Sequence, residues 1–357
     1  MKQNRLLALL FTSAVTCAPI ATAHAHKCYA DLNGDDLVNG FDRAIVLAAW
    51  GTANEIADIN DDGTVDGLDL TYITSGWGVC HCTTWAEVLE WDVNAAIVTD
   101  PALRSAIAAT GWPWRVRDCG TGIEMLLIPP GSFTMGCSPS LPPDGWCSDN
   151  ENPLHTVTIS AFYLGRYEVT QAQWTAIMTV NPSFFQGYSD SPTRAVEELF
   201  PESIADFNDR TGLRLPTEAE WEYAYRAQLG TEPSVTRWAF HNDTDDEAVV
   251  GNIAWFSGNN GEPGTSTWGT KVVGGKTANA LGLHDMSGNV MEYVNDWTGQ
   301  YPSDPATNPI GPSEGPYKEV RGGSWFLGSD RCRASKRWEY VYSNLVGNYG
   351  CRSARNP

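Results

Sequence analysis

The sequence predicts an α+β protein, irregular and rich in loops, preceded by a small helical module. Two observations lead there. The 357 residues include 15 Trp, 34 Gly and 21 Pro, and the apolar runs between the Gly and Pro punctuation are short, which favours brief strands and few helices. Near the N-terminus an Asp/Asn-rich segment occurs twice, each copy followed by an apolar stretch at helical spacing.

The chain opens with Lys2 and Arg5, then an apolar run from Leu6 to Ala23 that ends in the small residues Ala21, Ala23 and Ala25. A basic start, a short apolar run and an A-x-A site predict a secretory signal peptide over residues 1–23. Thr12, Ser13, Thr16 and Pro19 interrupt a run already short for a membrane span. The expected location is therefore secreted, extracellular or periplasmic. Beyond Cys17 eight cysteines remain, an even count that reads as disulfides outside the cytoplasm. Cys137 and Cys147 flank a Pro/Gly-rich excursion, Cys28 and Cys80 bracket the repeated segment, and Cys332 and Cys351 sit in two similar stretches. These three pairings are the expectation. The net charge of −20 argues against nucleic acid and anionic membranes as partners.

The repeat is made of Asp31, Asn33, Asp35, Leu37, Asn39 and Asp42, recurring as Asp58, Asn60, Asp62, Thr64, Asp66 and Asp69. Calcium is a hard cation that takes about six to eight oxygens, and a loop of about twelve residues supplies them from positions 1, 3, 5, 9 and 12 with the carbonyl of position 7. In both copies those positions carry oxygen side chains, with the carbonyls of Leu37 and Thr64 at position 7. Position 8 is Val38 or Val65, an apolar residue suited to pairing the two loops. Gly63 occupies the sharp turn at position 6 of the second loop and Asp36 that of the first. Residues 28–80 resemble a type I dockerin, whose loops end in Asp. The resemblance implies calcium and a cohesin-like scaffold partner. The positions that commonly carry cohesin contacts, a Ser-Thr type pair, are here Gly40-Phe41 and Gly67-Leu68.

Residues 83–118 read as a helical connecting segment, with apolar residues at helical spacing in 85–91 and 102–109 and a start signal at Asp100-Pro101. From residue 120 a series of signatures follows. Met125–Ile128, a Pro129-Pro130-Gly131 turn and Phe133–Met135 read as strand, turn, strand. Thr170 is a natural N-cap for a helix over 171–178, and Thr217 with Glu220 forms a capping box over another. Gly282-Leu-His-Asp285-Met-Ser-Gly288-Asn289-Val290-Met-Glu292 and Arg321-Gly322-Gly323-Ser324-Trp325 complete the set.

In unbroken order over residues 120–357, these motifs resemble the formylglycine-generating enzyme family, also called sulfatase-modifying factor proteins. The resemblance implies a variant of the C-type lectin fold. It also implies calcium, held by the side chains of Asp285 and Glu292 with the carbonyls of Gly288 and Val290, and a second site beginning at Asn252-Ile253. Members that convert a sulfatase cysteine to formylglycine hold copper(I) between two thiolates, soft ligands for a soft ion. The first falls three residues after the Ser of Gly-Gly-Ser, which is Leu327 here, and the second is Cys332 by ungapped counting. Only one thiol of the two exists, so copper is not expected. Ser324, which lines the oxygen pocket of active members, reads better here as part of a structural Gly-Gly-Ser-Trp turn. The six histidines are scattered and suggest no iron site.

The leading expectation is a secreted calcium protein whose family domain acts as a binding or structural module. Trp338-Glu339-Tyr340-Val341-Tyr342 offers aromatic contact to a carbohydrate or peptide. Two alternatives stand beside it. One is a sulfatase-modifying oxidase using Ser324 and Cys332. The other is a scaffold-tethered component of extracellular polysaccharide degradation.

Overall fold

The computed structural model describes residues 32, 37–38, 40–54, 56–60, 62–75, 78–79, 85–137, 147–227, 247–339 and 347–357. The expected leader and the Cys28–Cys80 clasp lie outside them. Among the described residues no helix is long and apolar enough to cross a membrane.

In the N-terminal repeat, helices Gly40–Ala48 and Gly67–Ser75 follow the two loops. They close on a small core of Val46, Ala57, Val65 and Ile73. Val38 and Val65 do not pair with each other as the repeat suggests. Leu37–Val38 pairs antiparallel with Gly78–Val79, while Val65 exchanges backbone bonds of 2.8 Å with Gly51 and Thr52. Each loop thus grips the segment that leaves the other loop's helix.

The segment 83–118 is only partly helical. Pro101–Ala108 is a helix, and the Asp100 carboxylate caps it by accepting from Ala102 N at 2.7 Å. Ala86–Glu90 and Arg115–Asp118, by contrast, are antiparallel strands. The helical spacing of 85–91 is overridden by cross-strand charge pairing. Glu87 lies opposite Arg117 with an ion pair of 2.9 Å, and Glu90 pairs with Arg115.

These two strands extend an antiparallel sheet through Glu124–Ile128 and Phe162–Gly165 to Ala354–Arg355. The strands on either side of Pro129-Pro130 part company. Gly131–Met135 joins His155–Ile159 and Ala306–Thr307 in a three-stranded sheet, since prolines cannot donate to a ladder and break the pairing there. A third sheet orders Trp338–Glu339, Lys318–Arg321, Met291–Trp297 and Tyr349–Cys351, the last pair parallel. The expected helices form at Gln171–Met178 and Glu218–Arg226. Both carry the capping box read from the sequence or an equivalent one, Thr170 with Gln173 and Thr217 with Glu220. Trp114, Trp174, Trp221 and Trp325 are fully buried, each removing on the order of 150–250 Å² from water.

Candidate functional site

The two glycine motifs interlock. Gly288 N donates to Gly322 O at 2.8 Å, and Trp325 N donates to Asn289 O at 2.9 Å. Gly288 has φ +81°, and a Cβ there would stand 1.9 Å from the carbonyl oxygen of Trp255. Gly323 has φ +72°, and its Cβ would meet the Cys332 sulfur at 2.7 Å. Only glycine fits either place. Asn289 donates to the Glu168 carboxylate and accepts from Lys271 N, and Glu168 also accepts from Val290 N at 3.0 Å. Ser324 is wholly buried and donates to Asn348 Oδ1 at 2.7 Å, beside a Trp325 indole bonded to Gly347 O. Ser324 therefore clamps the turn.

Beneath this turn lies a buried group of acids around one cation. Arg352 pairs with Glu292 at 2.6 Å and also reaches both carboxylate oxygens from Nε at 3.0 Å. The Trp221 indole donates to Glu292 Oε2 at 2.7 Å. Both Glu292 oxygens, assigned to calcium by the family resemblance, are thus held by a guanidinium and an indole. Asp285 accepts from Gly274 N, and its other oxygen is buried without a hydrogen bond. Burial pushes the Asp285 carboxyl up to about 6. Burial raises Glu168 well above the usual carboxylate range, helped by the charges of Asp285 and Glu292. Nor do Asn252 and Ile253 join them. The Asn252 carbonyl accepts from Thr277 N, and Ile253 packs in a small apolar cluster.

The thiols are separate and buried. Cys332 sits with Val250, Ile253, Ala254 and Phe256, and burial pushes its thiol up to about 12. Cys351 belongs to the main core, on the strand beside Met291–Tyr293. Burial raises its thiol too. The expected Cys332–Cys351 bond is absent and both are free cysteines. Their surroundings use each sulfur as a small apolar group. Cys137 and Cys147 do form a disulfide, with Cα atoms 5.8 Å apart, and Cys119 is disulfide-bonded as well. Leu327 packs against the core and offers no donor atom. Leu327 and Cys332 therefore do not fit a two-thiolate copper(I) ion.

The second acidic loop is arranged differently. Asp62 N donates to both Asp58 Oδ1 and Asn60 Oδ1 at 3.1 Å, and Gly63 N donates to Asp58 Oδ2 at 2.7 Å. Asp69, buried, ties the loop's ends by accepting from Ile59 N at 2.7 Å and Asp66 N at 2.8 Å. The first loop repeats the closure, Leu32 N donating to Asp42 Oδ1 at 2.8 Å; Asp31, Asn33, Asp35 and Asn39 lie outside the described residues. Among the described residues no three His, Cys, Asp or Glu side chains stand in a metal-holding arrangement. The donor chemistry of the second loop still fits a hard cation: its oxygens converge on a short backbone stretch, and among the described residues no ion pair engages Asp58, Asp62, Asp66 or Asp69.

Sequence reasoning missed the buried ionic network of the family signatures. Glu222 pairs with Arg321 and Arg226, Glu218 with Arg337 at 2.7 Å, and Glu151 with Arg333 at 2.9 Å. The signal was present in the four-residue spacing of Glu218 and Glu222, which puts both on one helix face. Trp338, at the expected ligand-contact stretch, pairs in a strand with Val320 and lies near Arg331 at 5.0 Å; Tyr340, Val341 and Tyr342 are outside the described residues.

A chaperone protein LppX from Paenibacillus barcinonensis is 31% identical over 247 residues, covering 56% of this chain and 82% of its own. A formylglycine-generating enzyme from Mus musculus is 28% identical over 286 residues, covering 65% and 74% respectively. Among solved structures, Treponema denticola variable protein 1 matches with a TM-score of 0.52 at 25% identity, covering 66% of this chain and 95% of that one. The family model of the sulfatase-modifying factor enzyme 1-like domain matches residues 115–357, and the chain belongs to that family.

Proposed function

We propose that this chain is a secreted calcium-binding protein whose family domain serves as a binding and structural module without the copper oxidase chemistry. The observation that carries the reading is the state of the thiols: Leu327 stands where one thiolate is needed, and Cys332 is fully buried with its thiol pushed up to about 12. Calcium belongs to the N-terminal loops, where among the described residues no ion pair engages Asp58, Asp62, Asp66 or Asp69, and not to Glu292, which Arg352 neutralises. Export follows from the leader signal.

The test is copper(I) titration in the presence of a Cys-x-Pro-x-Arg peptide. Neither stoichiometric copper binding nor aldehyde formation is expected. Both appearing, and both lost in Cys332→Ser, would establish the oxidase reading, which the kinship to enzymes named formylglycine-generating keeps in view. A scaffold-docking role has its own support. Phe41 and Leu68, at equivalent places in the two repeats, are 72% and 59% exposed. Pulldown by a cohesin-type domain, abolished by chelator, would establish it.

A further inference from the structure

A cleft of about 520 Å³ separates the N-terminal repeat from the family domain. Its walls are the Gly67–Ser75 helix on one side, with the Gln171–Met178 helix and the loop after it on the other. Tyr72 spans the join, its hydroxyl donating to Ala176 O at 3.1 Å. Asn60 and Leu68 of the second loop reach the same cleft.

The lining is chemically selective. In a chain of net charge −20, not one lining residue is charged. The walls are mostly apolar surface that carries hydroxyl and amide side chains, including Thr71, Thr175, Ser191, Gln171 and Gln186, beside the Tyr72 ring. Several are already oriented. Thr71 and Thr175 donate to the carbonyls of Gly67 and Gln171 at 2.7 Å, which leaves their oxygens as acceptors. Gln171 is fixed by Phe185 O and Asn181. Gln186 is exposed and makes no hydrogen bond among the described residues. Hydroxyls and amides both donate and accept, as do the hydroxyls of a sugar, and an uncharged lining neither attracts an ionic ligand nor compensates its desolvation.

We infer that this cleft binds a neutral saccharide, held between the two parts of the chain. The inference rests on the binding-module reading and gives it a place and a ligand class. Its failure would be separable, since the copper titration is independent of the cleft.

The test is calorimetric titration of the calcium-loaded full chain with cellohexaose, xylohexaose and mannohexaose, with oligogalacturonate and a neutral glycine-serine peptide as comparisons. One neutral hexasaccharide is expected to bind at one per chain. Gln186→Ala and Tyr72→Phe should each weaken it by about tenfold, the loss of one hydrogen bond. Ala172→Arg, at an exposed helical position lining the cleft, should abolish binding with the melting temperature unchanged. Binding by none of the three sugars, preference for the charged oligomer or the peptide, or sugar binding that survives Ala172→Arg would each overturn the inference.

Discussion

Two acidic regions of one chain show how differently the same carboxylates are used. In the N-terminal repeat, Asp58 and Asp62 face short backbone stretches at the surface, and the hydrogen bonds they accept come from neutral amides. In the family domain, Glu151, Glu218, Glu222 and Glu292 are buried, and each meets an arginine. Removing a charge from water costs several kcal/mol or more unless a partner compensates it. The interior therefore had to supply its own cations. In the second surface loop, among the described residues, no ion pair engages Asp58, Asp62, Asp66 or Asp69.

The largest test of this contrast is inside. Arg352→Met leaves Glu292, Glu168 and Asp285 without their central cation and should cost about 3–5 kcal/mol in urea unfolding. Replacing both partners, Arg352→Met with Glu292→Met, should recover much of that loss. Next comes the repeat. Saturating calcium, at about 100 times its Kd, should protect residues 40–75 from hydrogen exchange by about 2.7 kcal/mol for each ion bound. Asp58→Ala should remove the second loop's share and leave the family domain's protection unchanged.

A smaller effect follows from pH. Burial, then the charge of Glu218, pushes Asp296 up to about 7, and the same causes raise Glu319. Folding thus retains protons that the unfolded chain gives up near its ordinary carboxylate value of 3.8. The stability from this proton is complete below that value and is lost as pH rises through about 7. The slope is at most ~1.4 kcal/mol per pH unit for one proton. Asp296→Asn should flatten thermal stability over that interval. Smallest is Arg210→Ala, which breaks a pair with Asp206 whose side chains are 52% and 48% exposed; a change below about 0.5 kcal/mol is expected.

Much of the fold was legible because its signals are local. The caps at Asp100, Thr170 and Thr217 mark helix starts through bonds made within three residues. The family motifs were legible as turns, since Gly288 and Gly323 occupy places no other residue fits. What failed was non-local. The strand Ala86–Glu90 depends on arginines about 30 positions away in sequence, with a separation of 30 for Glu87 and Arg117. The ion pair of Glu292 was equally hidden, because Arg352 lies 60 residues downstream. The similar stretches around Cys332 and Cys351 suggested a bridge, yet each is dominated by its arginine. Arg333 runs to Glu151 and Arg352 to Glu292, which sends the neighbouring sulfurs into different parts of the core.

Calcium stoichiometry tests the contrast most directly. Titration of the full chain, of Asp31→Ala/Asp58→Ala and of Asp285→Asn should show one ion per loop in the wild type and in Asp285→Asn, and none in the loop variant. A calcium ion that persists in the loop variant and disappears in Asp285→Asn would place the metal in the arginine-neutralised interior and contradict the division of labour between the two regions.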